Sequence, residues 1–534
     1  MTILEKNIQA LLSGVNEPLG NKLLNFIQNK TCSRFNIDEN LNIYDKTHNV
    51  FMYENLEEEL NFFYQSILEK TPRYPFVCIY GIGNALLIKN LAKHYKHLFV
   101  FESEIELFIL ALSTIDLSEE LCSGKIYLVD IEEERVDIQL LILFDMKDMF
   151  EYLSLYEMFV NNSFYKQFCE KTWCETDEFC KKNIEIVIRD SGLNSNLSFQ
   201  SYFHFLQNIP SMLESIPFQR ILSQRKNKFD NAIVVSAGPS LAKQLPLLKA
   251  CQDKAVIFCA DGALSMLEKE GIVPDYVTNL DFTDLAMKFF QNKENKTSLN
   301  ILSCATHPNV AHSLKAENCM IVLRNKALYQ RFNFNDFGYI DTGTHVSHFS
   351  YTLALALGFK NIIMIGQDLA FDEEGNSHSK GFDFGEKFSG EENIDKLKIP
   401  AYAGKGEVLT HTTWNDYRIK LEYLFACNDQ KAKFYNATEG GARINFTEEL
   451  SFKECCEKLL TKEKPKFELP KSLTKNRSDK LLVKFKEKIQ KDQENAKRFL
   501  DDALALKQIL ENILSKDFIL PLEFLEKVYQ NIEN

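Results

Sequence analysis

Four histidines, His345, His348, His378 and His411, stand in short polar segments beside runs of β-branched residues. A neutral imidazole near pH 7 is the usual general base for drawing a proton from a hydroxyl. His378 lies in the polar loop Asp372-Glu-Glu-Gly-Asn-Ser-His-Ser-Lys380. His411 lies in Val408-Leu-Thr-His-Thr-Thr-Trp414, ahead of a predicted helix over 414–427 that Thr410 or Thr412 can cap. His345 and His348 also read as ordinary loop or packing residues. Asp368 follows Gly366-Gln367, and the glycine gives it an exposed corner. His411, His378 and Asp368 are therefore the candidate catalytic residues.

The richest local pattern is Asn231-Ala-Ile-Val-Val-Ser-Ala-Gly-Pro-Ser240, followed by the helical stretch 241–249. Strand, glycine turn and helix in this order can present free backbone N–H groups to a phosphate. On this expectation Ser236, Gly238, Pro239 and Ser240 bind a ligand, with the Ser240 hydroxyl either touching it or capping the helix. Later strands also end in polar or small residues: Asp261-Gly262, Asn279-Leu-Asp281-Phe-Thr283, Thr306-His307 and Gly366-Gln367-Asp368. The loop Asp341-Thr342-Gly343-Thr344-His345 opens another helix and is a second candidate cradle. Asp261 and Asp281 either hold ribose hydroxyls or a metal, or simply cap the next helix. In open α/β sheets ligands lie beyond the carboxyl ends of the strands, so this set defines one expected site.

The elements that must position these residues fall into three regions. Residues 1–215 are expected to form an N-terminal α/β domain, 225–445 a central catalytic domain, and 446–534 a C-terminal helical domain. The central strands are predicted at 231–236, 255–260, 276–280, 301–305, 319–323, 361–365 and 433–435, alternating with helices as in a mostly parallel sheet. The N-terminal region carries Phe76-Val-Cys-Ile-Tyr-Gly-Ile-Gly-Asn-Ala85 and then Glu102 at the end of a second strand. That arrangement either holds a nucleotide ribose or belongs to a nucleotide fold kept for structure. Residues 471–500 carry ten basic and four acidic side chains in a chain of net charge −13, read as a solvated helix face or a docking surface.

At 534 residues the chain needs more than one core. Its acidic balance argues against coating nucleic acid. Thirteen cysteines without a CxxC pair point to reduced, mostly buried thiols, and no stretch is apolar enough to span a membrane. The expected location is the cytoplasm.

Ser236-Ala-Gly-Pro-Ser240, Leu357-Gly-Phe-Lys-Asn-Ile-Ile-Met-Ile-Gly-Gln-Asp-Leu-Ala370, Ser377-His378 and Asn436-Ala-Thr-Glu-Gly-Gly-Ala442 together resemble the motility accessory factors, flagellin glycosyltransferases of flagellated bacteria. The resemblance implies transfer of pseudaminic or legionaminic acid, both nonulosonic acids, from a CMP-activated donor to Ser or Thr of flagellin, serving flagellar assembly and motility. It adds Glu439 to the candidate ligand contacts. The central region is also similar to bacterial sialyltransferases, which implies a Rossmann-like, GT-A-like α/β domain between the two flanking ones. That likeness carries the family's catalytic histidine onto His411 and its Gly-x-Asp corner onto Gly366-Gln-Asp368. Tyrosines assist the departing phosphate in those enzymes, and Tyr402 is the nearest hydroxyl-bearing aromatic. Asp281-Phe-Thr-Asp284 lacks the spacing of a metal-binding DxD pair, so inverting, metal-independent O-glycosyl transfer without a tightly bound cofactor is expected. Flagellin and the CMP-sugar are the expected partners, and an oligomer is compatible with the sequence. Two rivals remain: an ATP-dependent pterin pyrophosphokinase-like enzyme, and a non-enzymatic flagellin-binding assembly factor.

Overall fold

The computed structural model describes all residues except 14–15, 134, 147–148, 192–194, 291–297, 389–395, 405 and 515–534. The chain divides into two compact units, Met1–Asn194 and Ser195–Asn534. The boundary falls earlier than the expected one near 215. The helix Ser195–Glu214 belongs to the second unit because Phe205, Ile209 and Met212 enter its core and Asn208 donates to Cys304 O and Thr306 O.

The first unit has a small antiparallel sheet of β1 (Phe35–Ile37), β2 (Ile43–Asp45) and β3 (Val50–Phe51). Its main sheet is parallel: β4 (Phe76–Tyr80), β5 (His97–Glu102), β6 (Ile126–Asp130) and β7 (Met158–Val160), in the order β6-β5-β4-β7. Its Gly-Ile-Gly turn is filled from within. Gly81 has φ +94°, and a Cβ there would lie 2.3 Å from the Tyr165 ring. The Tyr165 hydroxyl accepts from Gly83 N at 3.1 Å and donates to Glu102 at 2.6 Å. Glu102 also accepts from the N–H groups of Ile82, Ser103 and Glu104. Of the two readings of this turn, a ribose site or a fold kept for structure, the geometry favours the second: the Glu102 carboxyl is fully buried, and burial pushes it up to about 7.

The second unit is built on β8 (Asn231–Val235), β9 (Val256–Ala260), β10 (Tyr276–Asn279), β11 (Leu299–Ser303), β12 (Cys319–Arg324), β13 (Tyr339–Ile340), β14 (Asn361–Ile365), β17 (Lys433–Asn436) and β18 (Glu448–Glu449). These pair in parallel, in the order β13-β12-β11-β10-β9-β8-β14-β17-β18. Between β14 and β17 a separate antiparallel hairpin joins β15 (Lys396–Pro400) to β16 (Glu407–His411). The seven central strands expected from sequence are all present, within a few residues at their ends.

Side chains along the sheet alternate between two cores. Ile233, Val235, Ile257, Cys259, Ile363 and Ile365 face one cluster, while Ala232, Val234, Phe258, Ile362 and Met364 face the other. A parallel sheet buried on both faces needs apolar residues at every position, which explains the continuous β-branched runs. Residues expected to form a separate C-terminal domain join this body: Phe452, Cys455, Leu460 and Leu473 lie in the first cluster, with Leu482, Phe485 and Ile489 against it. Among the described residues no helix is long and apolar enough to cross a membrane.

Replacing Gly81 by Ala combines a left-handed φ with a clash against a buried ring. Chemical denaturation should show the first unit destabilised by about 2 kcal/mol or more. Amide exchange should rise in β4 and β5 while β8 and β14 keep their protection.

Candidate functional site

The strand order reverses beside β8: the chain runs outward through β9 to β13, then returns to place β14 on the other side. A doubly wound sheet opens a crevice at such a switch point, because the connections leave β8 and β14 in opposite directions. A pocket of about 220 Å³ lies there. Ser236, Ala237 and Gly238 line it from the end of β8, Ala260, Asp261 and Gly262 from β9, and Gly366 to Leu369 from β14. His345, Val346 and Ser347 contribute from the helix Val346–Leu357, and Phe289, Ser377, His378, Phe382, Trp414 and Tyr417 complete the lining.

The two central turns are clasped together. Gly238 N donates to Gly366 O at 2.8 Å, and Ser236 N to Ile365 O at 3.0 Å. Asp368 accepts from the Ser240 hydroxyl at 2.7 Å and from Ser240 N at 3.2 Å. A Cβ at Gly238 would lie 2.1 Å from Asp368 Oδ2, so this glycine serves close approach. Gly366 combines φ +64° with a would-be Cβ 2.2 Å from Ser236 O. Burial pushes the Asp368 carboxyl up to about 6, against the hydrogen bonds from Ser240 that favour its charge.

This clasp corrects the expectation of an open phosphate cradle at Ala-Gly-Pro-Ser. The N–H groups of Gly238 and Ser240 are already bonded, Leu241 N donates to Gly238 O, and Ala242 N to Ser379 Oγ. Ser240 neither caps the helix Leu241–Cys251 through its side chain nor lines the pocket, because its hydroxyl is held by Asp368. The other proposed cradle meets the pocket at its helix end. Val346 and Ser347, the first two residues of a twelve-residue helix, line the cavity, and the first N–H groups of a helix have no partner within it. A helix N-terminus carries about half a positive charge, which favours an anion at that wall.

Thr342, Gly343 and Thr344 themselves turn inward. Thr342 Oγ1 accepts from Arg324 at 3.1 Å, and Gly343, at φ +61°, passes under the ring of His348. Asp261 lines the pocket, with its carboxylate accepting from Gly262 N at 2.7 Å and from Asn279 Nδ2. Asn279 is buried behind it, outside the lining. Asp281 forms a local turn with Thr283 N and Oγ1 and does not reach the cavity. Pro239 is also outside the lining, and exposed Glu439 accepts from Phe452 N at 2.7 Å, the start of another helix. Ser236 Oγ bonds Gln367 Oε1 at 2.8 Å and lies 2.7 Å from Ser347 Oγ, tying three walls together.

The histidines separate clearly. His378 stacks on Phe382, centroids 3.9 Å apart at 6°. Its Nδ1 lies 2.9 Å from Ser377 Oγ, which is also within reach of Glu386 O and Phe388 O. A hydroxyl proton given to either carbonyl leaves the oxygen to accept from Nδ1–H, so Nε2 carries the lone pair. Burial lowers this imidazole to about 4, so it is neutral at pH 7. His411 ends β16, buried behind Trp414 at 4.1 Å between centroids, and does not line the pocket. His345 stacks on Tyr417 at 4.6 Å, its buried Nε2 has no hydrogen-bond partner among the described residues, and burial holds its pKa well below 6.5. His348 is buried beside it, outside the lining.

Trp414 and Tyr417 were not anticipated as site residues. They sit three apart on the helix Thr412–Ala426, and Thr410 Oγ1 to Leu369 O at 2.7 Å anchors that helix's start beside the β14 turn. Tyr402, the expected aromatic hydroxyl, instead donates to Leu450 O at 3.2 Å. Among the described residues no group of three or more His, Cys, Asp or Glu side chains is placed to share a metal ion.

Residues 203–374 match the family of 6-hydroxymethylpterin diphosphokinase MptE-like proteins, a span from the first helix of this unit past the β14 turn. Among solved structures the chain is similar to a MAf glycosyltransferase from Magnetospirillum magneticum AMB-1, with 17% identity and a TM-score of 0.46, over 91% of this chain and 78% of that one. No curated protein matches the chain.

Ser240→Ala removes a hydroxyl that favours the charged form of a buried carboxyl whose pKa already lies above its unfolded value. The ionised form is the costly one, so the defect should be smallest near pH 5 and grow as pH rises through about 6. Thermal unfolding at pH 8 should show a loss of about 1.5–3 kcal/mol, the range for bonds to charged groups.

Proposed function

We propose that the second unit is a glycosyltransferase that moves a CMP-activated nonulosonic acid, pseudaminic or legionaminic acid, onto Ser or Thr hydroxyls of flagellin in the bacterial cytoplasm. The observation that carries this reading is the pairing of His378 with the helix N-terminus at Val346 within one pocket. A base and an anion site facing one cavity are what single displacement of a nucleotide phosphate requires. The motif resemblance centred on Ser236–Ser240, Gly366–Asp368 and Ser377-His378 supplies the substrate class.

In this mechanism the acceptor oxygen attacks the anomeric carbon of the donor from the face opposite the phosphate. The bond between that carbon and the phosphate oxygen breaks, and CMP departs with the electron pair. Val346 N–H, Ser347 N–H and the helix dipole take up the charge developing on the phosphate. His378 Nε2 receives the acceptor proton, while Ser377 fixes its tautomer. The aromatic wall of Phe289, Phe382, Trp414 and Tyr417 excludes water from an oxocarbenium-like centre that water would capture. His411 is a positioning residue here, fixing Trp414. One displacement gives inversion. This reading assigns every role to the protein's own groups and invokes no metal.

Family-model similarity over 203–374 favours one rival, a pterin pyrophosphokinase-like enzyme using ATP and Mg²⁺. Thermal shift separates the two. Stabilisation by CMP in the presence of chelator supports the transferase, since a ligand bound to the native state alone raises the melting temperature. Stabilisation only by ATP with Mg²⁺ supports the kinase. His378→Gln should lower transfer kcat about 10²–10⁴-fold with donor KM nearly unchanged. Flagellin that is bound but never glycosylated, by wild type as well as by the variant, would instead identify a non-enzymatic assembly factor.

A further inference from the structure

Residues 451–473 strap back along the second unit, at the end of the sheet away from the pocket. Asn231 Nδ2, at the start of β8, donates to Leu459 O at 2.9 Å. Just before β9, Asp253 O accepts from Lys464 N at 2.7 Å, and just before β10, Asp275 pairs with Lys464 Nζ at 2.6 Å. Arg225 Nη2 donates to Glu468 O at 3.1 Å, and Arg220 Nη1 to Ser472 O at 2.9 Å. Together with Phe452, Leu460 and Leu473 in the core, these ties hold the strap non-covalently where it leads into the helix Lys475–Leu514.

Two sulfurs sit where the strap begins. Cys251 ends the helix Leu241–Cys251, and Cys456 lies on the helix Phe452–Lys458 packed beside it. Their Sγ atoms are 3.6 Å apart, although 205 residues separate them in the chain. Cys251 is buried and Cys456 half-buried, so the pair reaches solvent through Cys456, while neighbouring Cys455 is buried in the core. All thirteen cysteines are free thiols. The hydrogen bond from Cys456, aided by the charge of Lys254, draws the Cys251 thiol below its usual range against the cost of burial. The proton that remains is shared, and the thiolate belongs to the pair.

We propose that Cys251 and Cys456 form a modification site, a dithiol that a peroxide closes to a disulfide, pinning the strap covalently to the helix Leu241–Cys251. The thiolate of the pair attacks hydrogen peroxide, so that an S–O bond forms, the O–O bond breaks and hydroxide leaves. The second sulfur then attacks the sulfenic sulfur. An S–S bond forms, the S–O bond breaks, and the departing hydroxide takes the second thiol proton. Two thiols lose two electrons and two protons, and the peroxide becomes two waters. From 3.6 Å the sulfurs must close to about 2.05 Å, a short movement for side chains on packed helices. The loop so closed contains β9 to β18, and a crosslink over so long a loop strongly restricts the unfolded chain.

Hydrogen peroxide, added to the reduced full chain and then removed with catalase, should leave Cys251 and Cys456 unreactive toward N-ethylmaleimide. Peptide mapping without reductant should recover their two peptides joined. The melting temperature of the second unit should rise by about 5 °C, amide exchange over 459–468 should slow, and dithiothreitol should reverse every change. Cys456→Ser, at a half-buried position, should give neither the joined peptides nor the shift, whereas Cys455→Ala should give both. A treated chain in which Cys251 and Cys456 are still alkylated, or are oxidised singly without joining, overturns the proposal. Joined peptides with unchanged melting and unchanged exchange over 459–468 overturn it as well, because the strap is then not pinned.

Discussion

The second unit turns on one contact, the hydrogen-bonded clasp between the β8 and β14 turns. Parallel neighbours at a switch point are held side by side along their length, but their exits diverge, and nothing in the ladder fixes how far apart they open. Here Gly238 N to Gly366 O continues the pairing one step beyond the strands, and Asp368 then reaches across to Ser240. Both glycines are dictated by that approach. The pocket floor is thus a set of satisfied backbone groups and a buried carboxyl, and the reactive groups stand on its walls.

That division explains the electrostatics. A carboxyl at the floor is pushed up by burial and held by Ser240, while the imidazoles on the walls are pushed down by burial among aromatic rings. Both shifts have the same cause, the cost of charge in an apolar surrounding, and they move in opposite directions because the charged form is the base in one case and the acid in the other. Burial is what keeps His378 neutral. Its direction is set by Ser377, and its ring plane by Phe382.

Much of this fold was legible because a doubly buried parallel sheet imposes a simple rule on its strands. The apolar runs, β-branched above all in Asn231–Val235 and Asn361–Ile365, could serve few other purposes, and their polar ends pointed to the edge of the sheet where the pocket lies. The walls were harder to read. Trp414 and Tyr417 reach the pocket on a helix whose start is anchored beside the β14 turn by Thr410 Oγ1 to Leu369 O, a contact between residues 41 apart in sequence. Glu439 entered through the resemblance of its motif, yet it satisfies the start of a helix thirteen residues on. Ser240 looked like a cap because it stands at the entrance of a helix, and its partner lies 128 residues away. The helix Lys475–Leu514 was visible as a basic run, whereas the change in its surroundings near residue 490 depends on where the body ends.

The two units pose the same local question and answer it differently. Each has a buried strand entering a glycine turn, the arrangement that brings backbone close to a phosphate. In the first unit the space over Gly81 is taken by the Tyr165 ring, whose hydroxyl joins Gly83 N to Glu102, and the space over Gly83 by the Tyr53 hydroxyl and Asn161. In the second unit the space beside Gly238 is taken by Asp368. A glycine turn therefore reports only that something approaches closely. Whether that something is a ligand or the protein itself is decided by the side chain delivered from the neighbouring strand or helix. In the second unit the pocket survives because the delivered group is a short carboxyl held to one side, leaving the cavity open between it and the helix at Val346.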